Sequence, residues 1–328
     1  MILVTGGTGL VGSHLLYQLI SNGESVRATY RAEKHLDAVR DIFSFYQSNQ
    51  FDKIEWVEAD LMDYFSLTDA LKDVTIVYHC GAMVSFKPSD RDTMFAINVD
   101  GTANLVNAAI ERQVERFCYV SSIATLGKSL NGDPIDESSF WQNDDNHSVY
   151  SQSKFQAEME VWRGTKEGLN AVIVNPSVII GPCKTDRSTG QLISTLNKNM
   201  TFYTGGGTGF VDVRDVVHAM ITVSQSEQIN ERFIVNGENL TYQELMTSAS
   251  DIFGVKAPTV KAGRLLTGIA WRIERLKYML WGKSPRMTKE TARTSQNKSN
   301  YSSDKLRQEF NLKFYSIEDA LENVKAYL

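Results

Sequence analysis

Tyr150 and Lys154 stand four residues apart in the run Tyr-Ser-Gln-Ser-Lys. On a helix that spacing places both side chains on one face, where an ammonium favours phenolate over phenol. An unperturbed tyrosine, with a pKa of about 10, is a poor base at neutral pH, so such a cation would make Tyr150 a usable proton donor and acceptor. A solvated surface pair has the same spacing. What lifts the pair above that reading is Val120-Ser121-Ser122, which closes the fifth apolar run of the chain. A hydroxyl at the carboxyl end of a strand can hold a substrate oxygen, and two adjacent serines point to opposite faces. Ser122 is the expected one, with Ser121 hydrogen-bonded within the strand end. Ser122, Tyr150 and Lys154 are therefore the catalytic candidates for moving a proton on or off an alcohol oxygen.

A partner for that chemistry is written into the first twelve residues, where the strand-like Ile2 to Val4 runs into glycines and then into Leu15, Leu16 and Leu19 at helical spacing. Gly7, Gly9 and Gly12 satisfy GxGxxG; Gly6, Gly9 and Gly12 satisfy GxxGxxG. Either set gives a tight turn, a close backbone approach to a pyrophosphate and a helix seated on the strand. The amides at Leu10 and Val11 then face the anion at the helix N-terminus. A plain structural turn is the alternative. The next strand-like run, Ser25 to Tyr30, ends about 20 residues on, where an NAD site would place an acid for the ribose 2′-hydroxyl. Thr29, Tyr30 and Arg31 stand there instead, with Lys34 following. A guanidinium suits a 2′-phosphate, so NADP is preferred and NAD is the second choice. Glu33 is the rival acid, and Arg31 as a solvated charge is the competing reading.

The elements that must hold these residues alternate along the chain. Apolar β-type runs at Ile2 to Thr5, Ser25 to Tyr30, Lys53 to Ala59, Thr75 to Cys80, Arg116 to Ser121 and Ala171 to Pro176 are separated by helical patterns. That order predicts a parallel sheet covered on both faces. Expected helices include a short one capped by Ser66 and Asp69, a long one over Arg91 to Arg112, and one over Val149 to Arg163. Beyond Gly181 the alternation fades until a strand at Arg232 to Asn236. Thr241 with Glu244 forms a capping box, Gly254 is a stop, and a last helix follows Ser316. At 328 residues the chain is long for one domain. Residues 1–180 with 208–237 are expected as the main lobe, and 181–207 with 238–328 as a smaller substrate-binding lobe. A net charge of −5 offers no basic footprint, so no nucleic-acid partner is expected. No signal-peptide pattern and no long apolar stretch is visible, which predicts a soluble, cytoplasmic protein. Cys80, Cys118 and Cys183 lack metal spacing and read as buried thiols.

Several segments together resemble the extended short-chain dehydrogenase/reductases. These are the TGGTGLVG start, Asp60-Leu61, Ile97 to Thr102 (INVDGT), Ser121-Ser122, Tyr150-x-x-x-Lys154, Asn175-Pro176 with Gly181-Pro182, and Phe210 to Val216 (FVDVRDV). The likeness runs nearly end to end and is greatest to dihydroflavonol 4-reductase-like, 3β-hydroxysteroid dehydrogenase-like and general NAD-dependent epimerase/dehydratase proteins. It implies an α/β, Rossmann-type doubly wound parallel sheet with a smaller C-terminal lobe. It also implies Ser122, Tyr150 and Lys154 as catalytic, Asp60 and Leu61 beside the adenine, Gly81 and Ala82 beside the cofactor ribose, and Pro176 and Val178 near the nicotinamide. Lys154 would also hold the nicotinamide ribose. Asn98 would brace the central helix against the sheet.

Other residues have plainer expectations. His79 lies on an apolar run and reads as a satisfied core histidine. His14 and His218 lack partners at metal spacing, and no metal site is expected. Asp144, Asp145, Asn146 and His147 form a polar loop, with His147 near the pocket mouth. Ser85, Phe86 and Trp141 are the candidate substrate contacts, and Phe140 with Trp141 could wall an apolar site. In 264–281, Leu265, Leu266, Ile269, Ile273, Leu276 and Leu280 form a helical stripe among Arg264, Arg272, Arg275 and Lys277, with Trp271 and Trp281. A helix packed on the small lobe with its stripe buried is preferred there to a membrane-surface helix.

The resulting expectation is an NADP-dependent oxidoreductase interconverting a carbonyl and a secondary alcohol on a small to medium, largely apolar molecule, as a monomer or homodimer. A nucleotide-sugar epimerase or dehydratase with bound NAD is the first rival. Ile123-Ala124 after Ser122 speaks against a dehydratase, which would carry an Asp-Glu pair there. A non-catalytic NADP-sensing protein is the second rival, against which the chain keeps both Tyr150 and Lys154.

Overall fold

The computed structural model describes residues 1–85, 87–129, 132–142, 147–184, 188–281 and 289–328. Twelve strands follow one another as β1 (Ile2–Thr5), β2 (Val26–Tyr30), β3 (Glu55–Glu58), β4 (Ile76–His79), β5 (Arg116–Val120), β6 (Ala171–Pro176), β7 (Val178–Ile180), β8 (Phe202–Thr204), β9 (Gly207–Asp212), β10 (Glu231–Val235), β11 (Glu238–Thr241) and β12 (Val260–Ala262). Seven of them form one sheet in the order β10-β6-β5-β4-β1-β2-β3, every pair parallel. Because the strands are apolar at successive residues, both faces of this sheet are buried. Val4, Tyr78, Cys118, Val172 and Phe233 join one core with Leu15, Leu16 and Val216. Their neighbours Leu3, Val77, Phe117 and Ile173 join the opposite core with Leu105, Val106, Ala157 and Val161. The sheet is α/β and doubly wound, of the Rossmann type.

The chain leaves β6 through Ser177 into a second sheet, β11-β9-β7, and a two-stranded ribbon pairs β12 with β8. Ile180, Ile193, Phe210, Leu245, Ile317, Leu321 and Val324 make a separate core there. The helix Tyr242–Phe253 begins in a capping box between Thr241 and Glu244 and ends at left-handed Gly254. The last helix, Ile317–Tyr327, begins in a capping box between Ser316 and Asp319. One start differs from expectation: the short helix is Tyr64–Ala70 and its cap is Asp63, which accepts from the Phe65 and Ser66 amides. The stretch expected as one long helix is continuous but carries a π-turn at Ala96–Asp100, between Arg91–Phe95 and Gly101–Glu111. Such turns often mark functional sites.

Candidate active site

All strands of the main sheet point the same way, so their carboxyl ends share one edge. The order reverses there between β1 and β4, which is the place where open α/β sheets bind ligands. Gly6 ends β1 with φ +69°, and a Cβ on it would lie 2.5 Å from the Gly81 amide nitrogen just past β4. Gly12 lies as close to the turn: a Cβ there would stand 2.3 Å from the Gly6 carbonyl oxygen. Gly9 is the residue before the helix Leu10–Ser21, and its amide closes the turn onto Gly6 O at 3.0 Å. No side chain caps that helix, and its first turn holds no acid. The amides of Leu10, Val11 and Gly12 and the positive end of the helix dipole thus suit an anion. This cradle fits a dinucleotide pyrophosphate, because any side chain on Gly6 or Gly12 would fill it.

Around it, Leu61 reaches to 3.1 Å of the Cβ position of Gly81, and its carbonyl accepts from Asn104 at 3.0 Å. The Asp60 carboxylate accepts from the Met62 amide at 2.9 Å, which fixes the Asp60-Leu61 turn beyond β3. Ala82 is exposed beyond Gly81. Arg31 is exposed just beyond β2 and makes no ion pair among the described residues. Pro176 ends β6 and Val178 opens β7, so both lie at the junction of the two sheets.

The candidate proton-handling residues lie on the other side of β4. Ser148 caps the helix Val149–Lys166 by accepting from the Ser151 amide at 2.7 Å, which sets Tyr150 in its first turn. The Ser122 hydroxyl accepts from the Ala124 amide at 3.2 Å and lies near enough to the Tyr150 phenol to favour its ionised form. Lys154 is buried; its ammonium donates to the Tyr119 hydroxyl at 2.6 Å and to the Val120 carbonyl at 2.8 Å. An ammonium carries three donors, so one remains for a group entering the site. Burial lowers the Lys154 pKa to about 7 against the raising effect of Glu158, and burial raises the Tyr150 pKa while the neighbouring Ser122 hydroxyl lowers it. A buried cation needs close acceptors, and Tyr119 and Val120 supply them, drawing it onto β5.

One functional neighbour escaped the sequence reading. Glu158, one turn beyond Lys154, is fully buried and lies behind the serines. One of its oxygens accepts from Ser121 at 2.5 Å, Thr125 at 2.8 Å and Asn175 at 3.0 Å; the other accepts from Trp162 at 3.3 Å and Arg232 at 3.4 Å. Asn175 also donates to the Ser122 carbonyl at 3.2 Å, and the Thr125 hydroxyl shares its one proton between Glu158 and that carbonyl, 2.9 Å away. Ser121 is accordingly bonded across to the helix and not within the strand end, as had been expected. The available signal was a carboxylate at i+4 from Lys154, between the apolar positions Ala157 and Val161.

Of the remaining candidates, His79 is a core histidine: its ring nitrogens meet Thr5 at 2.7 Å and Thr102 at 3.0 Å, and burial lowers its pKa to about 3. His14 bonds the Tyr46 hydroxyl and the Pro182 carbonyl, both at 2.9 Å. Asn98 is buried and bonds both backbone groups of Met83 and the Ser153 hydroxyl, tying the loop beyond β4 to the tyrosine helix. Ser85 donates to Asp90 at 2.6 Å. Trp141 stacks on His147, at 3.6 Å between centroids, and on Phe155, at 4.4 Å, while Phe140 is 83% exposed. Phe86, Asp144, Asp145 and Asn146 lie outside the described residues. Cys118 is buried, but Cys80 and Cys183 are only partly so. The stripe of the helix Arg264–Trp281 is not buried: Leu265, Leu266, Ile269, Ile273 and Leu276 are 48–80% exposed. Among the described residues no helix is long and apolar enough to cross a membrane.

The family model of the NAD dependent epimerase/dehydratase family matches residues 2–236. A dihydroflavonol 4-reductase-like protein of Synechocystis sp. is 33% identical over 97% of this chain and 91% of its own length. Sterol demethylase protein B of Methylococcus capsulatus is 31% identical over 82% of this chain and 79% of its own. The crystal structure of gox2253 superposes with a TM-score of 0.83 at 33% identity, covering 100% of this chain and 97% of that one.

Proposed function

This chain belongs to the NAD-dependent epimerase/dehydratase family and is an NAD(P)-dependent enzyme of the extended short-chain dehydrogenase/reductase type; from that premise we propose that it interconverts a carbonyl and a secondary alcohol on a largely apolar substrate, with NADP as cofactor. The observation that carries this reading is the nearness of Ser122 to Tyr150, on the helix that also carries the buried ammonium of Lys154. The cofactor would lie with its pyrophosphate on the amides of Leu10, Val11 and Gly12, its adenine beside Asp60 and Leu61, its riboses beside Gly81, Ala82 and Lys154, and its nicotinamide near Pro176 and Val178. Bound, it supplies the hydride exchanged with the substrate carbon.

The chain's own residues do the rest. Ser122 donates to the substrate oxygen and fixes it against Tyr150. In the direction of reduction the Tyr150 hydroxyl gives that oxygen its proton; in oxidation the phenolate takes it back. The third donor of Lys154 is placed for a ribose hydroxyl, and its charge offsets the phenolate left by the transfer. Trp141, stacked on Phe155 next to Lys154 in sequence, supports an apolar wall, and Ser85 supplies a polar contact beyond β4. Residues 181–207 and 238–328 would shape the substrate site. Relatives of this chain named for reductases and for a sterol demethylase component favour an apolar substrate over a nucleotide sugar.

Oxidation of NADPH and NADH with panels of aldehydes, ketones and UDP-sugars tests the reading. Tyr150→Phe should lower turnover by about 10²-fold or more and leave cofactor affinity intact. Arg31→Ala should shift the NADP-to-NAD preference by about tenfold or more, the value of one charge-assisted contact. Equal use of both cofactors with no effect of Arg31→Ala would remove the NADP assignment. Epimerisation of a UDP-sugar without net cofactor oxidation would remove the reductase assignment.

A further inference from the structure

The helix Arg264–Trp281 turns its apolar side outward. At about 100° per residue, Leu265, Leu276, Ile269, Ile273 and Leu266 fall within an arc of about 100°. All five are about half exposed or more, Leu265 reaching 80%. The opposite side, centred on Thr267, Trp271 and Glu274, is the less exposed one; the helix packs on Lys289–Thr294 and on β12 through its inward side. Arg272 borders one edge of the apolar arc, with Arg275 and Arg264 behind it, and Lys277 borders the other edge. Glu274, the helix's one acid, faces inward and pairs with Lys277 at 3.0 Å. On the ribbon leading into this helix, the register partners Phe202 and Val260 are exposed as well, at 52% and 41%. Contiguous apolar surface of this kind is unusual on a monomer and marks an interaction site.

We propose that this face docks the enzyme on an anionic lipid surface, the helix lying flat with its leucine and isoleucine ridge among the acyl chains and its flanking cations on the headgroups. The arrangement of the cations decides the occupant. Arg272 and Lys277 stand one at each border of the ridge, level with the headgroups when the helix lies flat, as a helix in a bilayer interface requires. A second copy of this chain fits poorly, because a two-fold contact would bring the same guanidinium and ammonium groups against each other with no acid on the outward face. The ridge is convex, so it suits a deformable partner better than a rigid pocket. The helix is about 27 Å long and half of its circumference is committed to the protein, so it lies on the membrane and does not cross it.

The experiment is co-sedimentation of the full chain with vesicles of phosphatidylcholine alone and of phosphatidylcholine with one third phosphatidylglycerol. The salt is set at about 0.05 M and about 0.5 M. The wild-type protein should pellet only with the anionic vesicles and be released at high salt. Each cation near the surface is worth about fivefold in partitioning, so Arg272→Gln/Arg275→Gln/Lys277→Gln should weaken binding by about 100-fold. Ile269→Asp/Ile273→Asp should abolish it with an unchanged melting temperature and circular dichroism spectrum. Wild-type protein that stays in solution at low salt overturns the proposal, and so does binding that both variants retain. Self-association relieved by Ile269→Asp/Ile273→Asp, without vesicle binding, would assign the face to a second copy. A large drop in melting temperature for that variant would show the ridge to be buried.

Discussion

Replacing Glu158 by glutamine keeps the size of the side chain and removes its charge, and the hydrogen bonds around it determine the outcome. The amide oxygen can take the place of the carboxylate oxygen that receives Ser121, Thr125 and Asn175. Its NH2 then faces two further donors, the Trp162 indole and the Arg232 guanidinium. Three charge-assisted bonds become neutral ones, a loss of about 1 kcal/mol each, and the long contacts to Trp162 and Arg232 vanish. Relief of burying a carboxylate offsets part of this, and the Glu137 carbonyl still accepts from Arg232. The expected net destabilisation is about 2–4 kcal/mol. Urea unfolding followed by fluorescence and circular dichroism at pH 7.5 measures it. Turnover should fall as well, because Thr125 and Asn175 anchor the Ser122 carbonyl and because Glu158 is a charge that favours the protonated Lys154. Arg232→Met combined with Glu158→Gln should cost less than the two changes summed. A loss within about 0.5 kcal/mol of zero for Glu158→Gln, or strict additivity in the double variant, would refute the reasoning.

Two more outcomes follow from the geometry. Gly12→Ala sets a methyl 2.3 Å from the Gly6 carbonyl and 2.8 Å from the Gly7 Cα, both backbone, so the turn must open; cofactor titration should show at least about 100-fold weaker binding, with about 1–3 kcal/mol lost in stability. Asp215 is buried against the Tyr315 amide, and burial raises its pKa from 3.8 to about 7. The folded state therefore holds a proton the unfolded chain releases: the stabilising effect is complete below pH 3.8 and is lost as pH rises through about 7. Asp215→Asn keeps the acceptor and removes the titration, so its melting temperature should gain on wild type at pH 8 relative to pH 5.

The main sheet was legible because its strands are apolar at successive residues and its turns demand glycine. Positive φ at Gly6 and the contact of Gly12 with its carbonyl leave a mark no other residue can replace. The small strands β7 to β9, β11 and β12 were not read, because three to six residues with mixed exposure carry neither period clearly. Tyr150, Ser122 and Lys154 are candidates by type and spacing, but the direction of the Lys154 ammonium was not legible, since it depends on where β5 offers acceptors. Glu158 was missed for the same reason: its partners Thr125, Asn175 and Arg232 are distant in sequence. The stripe of 264–281 shows the limit of an amphipathic pattern, which tells that a helix has two sides and not which one the protein keeps.

The position of β10 at the edge of the main sheet bears on how the enzyme is born at the ribosome. Residues 1–176 carry the whole glycine cradle and all three proton-handling side chains. Yet the guanidinium that faces Glu158 arrives only with Arg232, on the strand that covers the open flank of β6. Until that strand emerges, the nascent chain exposes an unpaired β edge beside a carboxylate without its counter-charge. A truncated or stalled chain of that length would thus be a target for chaperones or for sticking to other edges.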